Sequence, residues 1–430
     1  MQLDMLLESL VDPTTKGWPS MEALPLRAVG EQGWNVLAGD LPLPVAVIKG
    51  SALSQNSRWM RRFIDHFGVA ICPHGKTTMA PQLFARQLAD GAWGITVATV
   101  QQLRVCRRHG VQRVIMANQL VGGHATRAVL AMLGADPTFW FACLVDSVEL
   151  VEQMAAEVRE FGAERPLQVL LEGGYEGGRA GCRTPEQALA VARAVAAAPE
   201  LSLVGVEGFE GLIVRPTPAE TAAEVEAFLA SLVTIARACA EEGLFAPGKI
   251  MLSAGGSAFF DQVTAAFQEA GLDREVEVVL RSGCYLTHDS KMYREFFEQM
   301  RERRPEIDKM GNGLQAALEL WAYVQSVPEP GLAIATLGKR DASFDVHMPV
   351  PEQWYRPGLH AEPQKLAAGF EVTGMNDQHA FVRMPQDSPL HVGDMLSFGI
   401  SHPCTTFDRW QLLYVVDDGY GVVEGIRTFF

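Results

Sequence analysis

Apolar positions along this chain fall into two rhythms. Between residues 69 and 283, short β-branched runs alternate with longer amphipathic stretches. The runs are VAIC (69–72), GITVAT (94–99), RVIMAN (113–118), FWFACLV (139–145), LQVLLEG (167–173), LVGVEGF (203–209), KIMLSAGG (249–256) and VEVVLRSG (276–283). Between them, segments such as PQLFARQLADG and SVELVEQMAAEVREFG place apolar residues at i, i+3, i+4 and i+7, the face that packs on a sheet. Near-continuous apolar strands fit a parallel sheet covered on both faces. Eight strand–helix units over about 215 residues suit a (β/α)8 TIM-type barrel better than an open doubly wound sheet.

After residue 315 the rhythm changes to short alternating strands separated by Gly, Pro and Asp turns: WAYVQSVPEP, LAIATLGKRDASFDV, AFVRM, VGDMLSFGIS and WQLLYVVDDGYGVVEGI. That pattern predicts a mainly antiparallel β-domain. The first forty-odd residues are too short to fold alone and are expected to pack on it. The predicted organisation is α/β: a barrel over 44–315, and a β-domain built from 1–43 and 316–430.

Composition narrows the function classes. The 430 residues carry 36 basic and 51 acidic side chains, a formal charge of −15, and are 48% hydrophobic. A packed core is therefore expected, and disorder is excluded. An acidic chain lacks the basic face of a general nucleic-acid binder. No run of about 18 apolar residues predicts a membrane span, and the N-terminus lacks the basic and apolar regions of a signal peptide. Seven scattered cysteines without a CxxC pair read as reduced thiols, so a cytoplasmic setting is expected. Only eight lysines stand against 28 arginines, so each lysine can be weighed singly.

In a parallel barrel, functional groups gather at the C-terminal strand ends. The first strand ends in Cys72-Pro73-His74-Gly75-Lys76, placing a lysine at the predicted mouth. Such a lysine is either an exposed loop residue or an amine that attacks a carbonyl. The seventh strand ends in Gly255-Gly256-Ser257 before a helix, and the eighth in Arg281-Ser282-Gly283-Cys284-Tyr285. Small residues with free N–H groups at these two ends form the common phosphate site of such barrels. Taken alone, a Gly-Gly-Ser turn is only a tight turn. Two such loops opposite a lysine suggest a phosphorylated carbonyl cofactor, pyridoxal phosphate.

PHGKTTMAP, GITVATVQQ and VIMANQLVGG resemble the barrel of fold-type III pyridoxal-phosphate enzymes. Within these, the chain is most similar to the D-serine dehydratase and D-threonine aldolase group, relatives of alanine racemase. The likeness continues through Val145-Asp146-Ser147, Gly178-Arg179-Ala180-Gly181, GVEGFEG, AGGS, RSGCYLTHD and VGDMLSFGISHPCTTFD. It implies that Lys76 holds the cofactor and removes the substrate α-proton, with His74 flanking it. Arg179 would donate to the cofactor's phenolic oxygen. Gly255, Gly256, Ser257, Gly283 and Cys284 would cradle the phosphate, helped by Tyr285. Two positions depart from the group: Phe209 stands where tyrosine is usual, and Leu212 where histidine is usual.

His402-Pro403-Cys404 lies between two predicted strands, where an H-x-C pair would project both side chains to one face, as two ligands of one ion require. A buried cysteine beside a satisfied histidine is the alternative. By resemblance the pair matches the group's metal ligands, with H-x-C typical of dehydratases and H-x-D of aldolases. Thiolate plus imidazole suits Zn2+. Asp408, six residues beyond His402, is a poor replacement for the aldolase carboxylate. The resemblance thus implies a zinc- and pyridoxal-phosphate-dependent dehydratase of small D-β-hydroxy amino acids, a homodimer, releasing a 2-oxo acid and ammonia. His379 stands in a context like that of a family histidine. His66, His109 and His124 are expected at the surface. The rivals are a D-threonine-type aldolase, an amino-acid racemase and a non-catalytic pyridoxal-phosphate carrier. A metal hydrolase would leave Lys76 and the Gly-Gly-Ser loop without a role.

Overall fold

The computed structural model describes all 430 residues. Eight parallel strands form the first domain: β1 (Ala70–Ile71), β2 (Ile95–Val97), β3 (Arg113–Gln119), β4 (Trp140–Val145), β5 (Leu167–Gly173), β6 (Leu201–Gly208), β7 (Ile250–Ala254) and β8 (Val276–Leu280). Neighbours pair in sequence from β2 to β8, and β8 pairs β1 through Val279↔Ala70 and Leu280↔Ile71. The His74↔Thr96 bridge joins β1 to β2 and completes the barrel. The eight strands predicted from the apolar runs are these eight.

Four of the helices between them begin at a side-chain cap. Thr99, Ser147, Thr184 and Thr217 each accept a backbone N–H three residues on, and Thr217 with Glu220 forms a full capping box. The period of two along each strand then separates a dry barrel interior from a polar mouth. Cys72, Ile115, Ala142, Leu144, Leu170, Met251 and Val279 pack together as a small apolar cluster. Two residues further along, on the same face of β1, β5, β7 and β8, come His74, Glu172, Ser253 and Arg281. The mouth is polar because the pleat carries these positions there.

The second domain is an antiparallel sheet centred on the strand Leu318–Glu329, which pairs with Met395–Gly399, Leu332–Ala335 and Val45–Lys49. This corrects the predicted boundary. Val45–Lys49, which the predicted boundary at residue 44 put with the barrel, lies instead in the second sheet, parallel to Leu412–Val416. An apolar run reports burial on both faces, not the sheet it joins. The N-terminal segment packs Leu6, Val11, Trp18, Leu26 and Val29 against Trp321 and Tyr414 of that sheet. A continuous core running from the barrel helices to Leu320 and Phe398 joins the two domains. No helix is long and apolar enough to cross a membrane.

Candidate active site

Lys76 sits in a single 3-10 turn, Gly75–Thr77, just past β1, and its side chain is exposed at the mouth. The turn needs glycine at 75, since a Cβ there would stand 2.7 Å from Ile95 Cγ2 and 2.9 Å from the Phe84 ring. Beside it, His74 Nδ1 is buried without a hydrogen-bond partner. Burial, then the charges of Lys76, Arg281 and Arg179, hold the His74 imidazole well below its ordinary range, so it is neutral. Three cations around an orphaned ring nitrogen suit an anionic ligand.

Below this layer lies a buried charge network. Arg281 pairs with Glu207 and donates to Gly208 O at 2.8 Å. Gln119 donates to Glu172, whose pKa is nonetheless pushed up to about 7 by burial and by Glu207. Arg179 stands over the Phe209 ring at 5.1 Å. Its loop is fixed by Arg183, which donates to the carbonyls of Gly178, Arg179, Ala180 and Gly181 at 2.7–3.0 Å, and by Asp146, which accepts the Gly181 N–H at 3.0 Å. Glu172, Tyr175, Arg179, Phe209 and Leu212 line a small cleft beside the mouth.

The loops after β7 and β8 meet as expected. Ser282 Oγ donates to Gly255 O at 2.9 Å, and the Cys284 N–H reaches Ser257 Oγ at 3.2 Å. Gly283 approaches so closely that a Cβ would stand 2.5 Å from His74 O. Two expectations need correction. The N–H groups of Gly255 and Gly256 are bound by the Glu210 carboxylate, at 3.2 and 2.7 Å, so a phosphate on those donors must displace it. Tyr285 does not line the mouth. It is buried in the core with its hydroxyl against Gln87, in a turn past the end of β8 where strand alternation no longer sets which way a side chain faces.

The His402–Cys404 pair is not on a strand. The strand ends at Gly399, Pro403 has no N–H to continue a ladder, and Cys404 opens a short helix, Cys404–Phe407. His402 has φ of +71°, a left-handed conformation rare for histidine. Asp289 holds it there: one carboxylate oxygen accepts the His402 N–H at 3.0 Å, while the other accepts N–H groups of Lys291, Tyr293 and Arg294 at the start of the helix Met292–Arg303. His402 Nδ1 is bound by Asp345 at 2.6 Å, which leaves Nε2 as the free nitrogen. Asp345 also accepts from Thr405 at 2.9 Å. A carboxylate behind the ring is the usual support of a zinc-ligating histidine.

Cys404 Sγ lies 3.6 Å from Cys284 Sγ and 3.5 Å from Thr77 Oγ1, so the turn reaches the loop that carries Lys76. The shared hydrogen bond from Cys404 is the main force lowering the pKa of Cys284, while that of Cys404 itself is raised. His379 is exposed in the turn between Glu371–Met375 and Ala380–Arg383, and its ring makes no hydrogen bond. Asp408 pairs with Arg409. His109, expected at the surface, is buried against the Gln2 carbonyl.

Comparison with known proteins fits this geometry. Residues 48–268 match the family "Alanine racemase, N-terminal domain", and residues 317–416 match "Putative serine dehydratase domain". The chain belongs to the fold-type III pyridoxal-phosphate family. It is 26% identical to the D-threonine aldolase of Arthrobacter sp. over 385 residues, 89% of this chain and 90% of that one. It is 30% identical to the D-threo-3-hydroxyaspartate dehydratase of Delftia sp. (strain HT23) over 153 residues, 35% of this chain and 39% of that one. The structure of the dehydratase from Delftia sp. HT23 superposes with a TM-score of 0.71 at 23% identity, covering 92% and 99% of the two chains. The mouth fits the family's cofactor: an accessible lysine, small-residue loops after β7 and β8, and an unpartnered ring nitrogen among cations. The thiol and carboxylate-supported imidazole suit zinc.

Glu172, Glu207, Glu210, Arg281, Asp345 and Thr77 were not among the sequence-predicted site residues. Glu172, Glu207 and Arg281 do carry a signal, because each is a charged residue within or just beyond an apolar strand.

Proposed function

We propose that this protein is a pyridoxal-phosphate- and zinc-dependent lyase that removes water from small D-β-hydroxy amino acids of the D-serine type. The observation that carries the reading is the contact between the two halves of the site, where Cys404 Sγ stands 3.5 Å from Thr77 Oγ1, next to Lys76 in sequence. A cofactor held by Lys76 and a metal held by His402 and Cys404 would thus serve one small substrate. The D-threonine aldolase and D-threo-3-hydroxyaspartate dehydratase relatives support the substrate class.

When bound, pyridoxal phosphate supplies the electron sink that makes a Cα proton acidic, and zinc supplies a Lewis acid for a hydroxyl. Lys76 Nζ is the group placed to hold the cofactor and to accept the Cα proton. Arg179, steadied by Arg183 and Phe209, is positioned to donate toward an anionic oxygen at the mouth. Asp345 orients His402 through Nδ1, and Asp289 fixes its backbone. Loss of the Cα proton and the β-hydroxyl as water leaves an enamine acid, which hydrolyses to a 2-oxo acid and ammonia.

Cys404 favours dehydration over carbon–carbon cleavage, because thiolate and imidazole select zinc where a carboxylate would admit harder ions. A ligating thiolate also implies a reducing setting such as the cytoplasm, and the family resemblance implies a homodimer. The test is metal removal. A strong chelator should abolish ammonia release from D-serine or a β-substituted D-serine while the cofactor's absorbance persists, and zinc should restore it. Unchanged ammonia release from metal-free protein would refute the role given to His402 and Cys404.

A further inference from the structure

The mechanism gives the Cys404 thiol a task and leaves the Cys284 side chain idle. Cys284 donates its backbone N–H to Ser257 Oγ, while its Sγ meets Cys404 Sγ across the domain junction at 3.6 Å. We propose that Cys284 and Cys404 are a redox modification site, closing to a reversible disulfide under a peroxide oxidant and so withdrawing Cys404 from the metal. The bond stands on the two thiols alone; only its effect on metal binding rests on the zinc reading above.

Distance, access and contrast with the other cysteines support the pair. At 3.6 Å the two sulfurs touch, and no atom fits between them. A disulfide holds its sulfurs about 2.05 Å apart, so a closure of about 1.5 Å completes the bond. A swing of that size lies within rotation of a thiol about its Cα–Cβ bond. The two thiols differ in access. Cys284 is 5% exposed, whereas Cys404 is half-buried at the edge of the mouth, 3.5 Å from Thr77 Oγ1. A small oxidant arriving beside Lys76 therefore meets Cys404 first, with Cys284 behind it as the resolving thiol. The remaining thiols, of Cys72, Cys106, Cys143, Cys182 and Cys239, are buried, and burial raises each and keeps it protonated and inert.

The Cys404 sulfur attacks one peroxide oxygen, the O–O bond breaks, and a sulfenic acid and a water are left. The Cys284 sulfur then attacks the Cys404 sulfur and breaks its S–O bond. The Cys284 proton leaves with the departing hydroxide as a second water. Two thiols lose two electrons, and one hydrogen peroxide gains them. A dithiol reductant reverses the bond by exchange. With no thiolate at position 404, His402 is left as a single ligand and the metal is released.

The experiment exposes the full-length protein, reduced and stripped of metal, to stoichiometric hydrogen peroxide, followed by alkylation and peptide mass analysis. A peptide containing Cys284 should be joined to one containing Cys404, lighter than their sum by two hydrogens and separated by dithiothreitol. Zinc binding, read by competition with a chromophoric chelator, should be lost on oxidation and regained after reduction and removal of dithiothreitol. The cofactor's absorbance should persist throughout. Cys284→Ser, given the same peroxide, should yield no joined peptide and a Cys404 sulfenic acid that dimedone traps. Both cysteines alkylated as free thiols, or oxidised separately without a joined peptide, would overturn the proposal and leave the zinc reading untouched. A joined peptide with zinc binding unchanged by oxidation would uphold the disulfide and refute Cys404 as a metal ligand.

Discussion

Lys76 and His402 come from different domains, and the chain holds them by different means. Lys76 rides on sheet geometry: β1 ends, a glycine permits one tight turn, and β2 bridges back at His74↔Thr96. The charged layer beneath it follows from the same pleat. His402 has no such frame. It sits in a left-handed backbone conformation beyond a strand end and depends on two carboxylates, Asp289 from the barrel domain and Asp345 from its own. The barrel side is pre-organised by regular structure, whereas the metal side is pre-organised by side-chain hydrogen bonds across the domain junction. Damage on the first side should therefore cost chemistry or stability, and damage on the second should cost ligand affinity first.

The largest expected effect is at Lys76. Lys76→Ala should lower ammonia release by roughly 10⁴-fold or more, the upper range for loss of an acid–base group. Borohydride treatment with pyridoxal phosphate should fix the cofactor's mass on the parent peptide containing Lys76 and on no peptide of the variant. A variant that turned over normally would break the barrel half of the comparison.

Arg281→Met tests whether the mouth is built on a buried charge pair. Leaving Glu207 uncompensated should lower the unfolding free energy by about 3–5 kcal/mol, read from urea denaturation. The double replacement Arg281→Met with Glu207→Leu should recover much of that loss. If the single variant were as stable as the parent, the pair would not be what fixes this layer.

A smaller effect is expected on the metal side. Asp345→Asn should weaken zinc affinity by about 10–100-fold and leave the cofactor's absorbance unchanged, measured by competition with a chromophoric chelator. Loss of cofactor absorbance in that variant would show that the two halves are not supported separately.

Glu172 gives the mildest prediction. Its pKa lies at about 7 in the folded chain against an ordinary 4.5, with burial the main cause. The folded state therefore holds a proton that the unfolded state releases. Stability is fully present below pH about 4.5 and falls as pH rises through about 7. Glu172→Gln should flatten that fall in urea midpoints across this window; an unaltered slope would remove Glu172 from the mouth's charge balance.

Much of the barrel side was legible because its positions follow from counting along strands. Eight apolar runs located the strand ends, and Lys76 stands four residues past Cys72. Glu210 was not legible, since a carboxylate bound to the Gly255 and Gly256 N–H groups depends on the loop after β6 folding back 45 residues. Tyr285 was misplaced because adjacency to a loop does not fix which way a side chain faces. On the metal side the sequence showed which residues matter but not how they are held. Pro403 breaks the assumed strand, and the Cys284–Cys404 contact joins residues 120 apart, a separation no local pattern reports. The same holds for Asp345, 57 positions from His402.

The central claim, dehydration of a D-β-hydroxy amino acid, is met most directly by product identity. Purified protein with pyridoxal phosphate and zinc should be given D- and L-β-hydroxy amino acids in parallel, with ammonia, 2-oxo acid, aldehyde and enantiomer composition followed together. The account predicts one ammonia and one 2-oxo acid for each D-substrate consumed, with the L-substrates untouched and no aldehyde formed. Glycine with an equal amount of aldehyde, or interconversion of the two hands without ammonia, would contradict it.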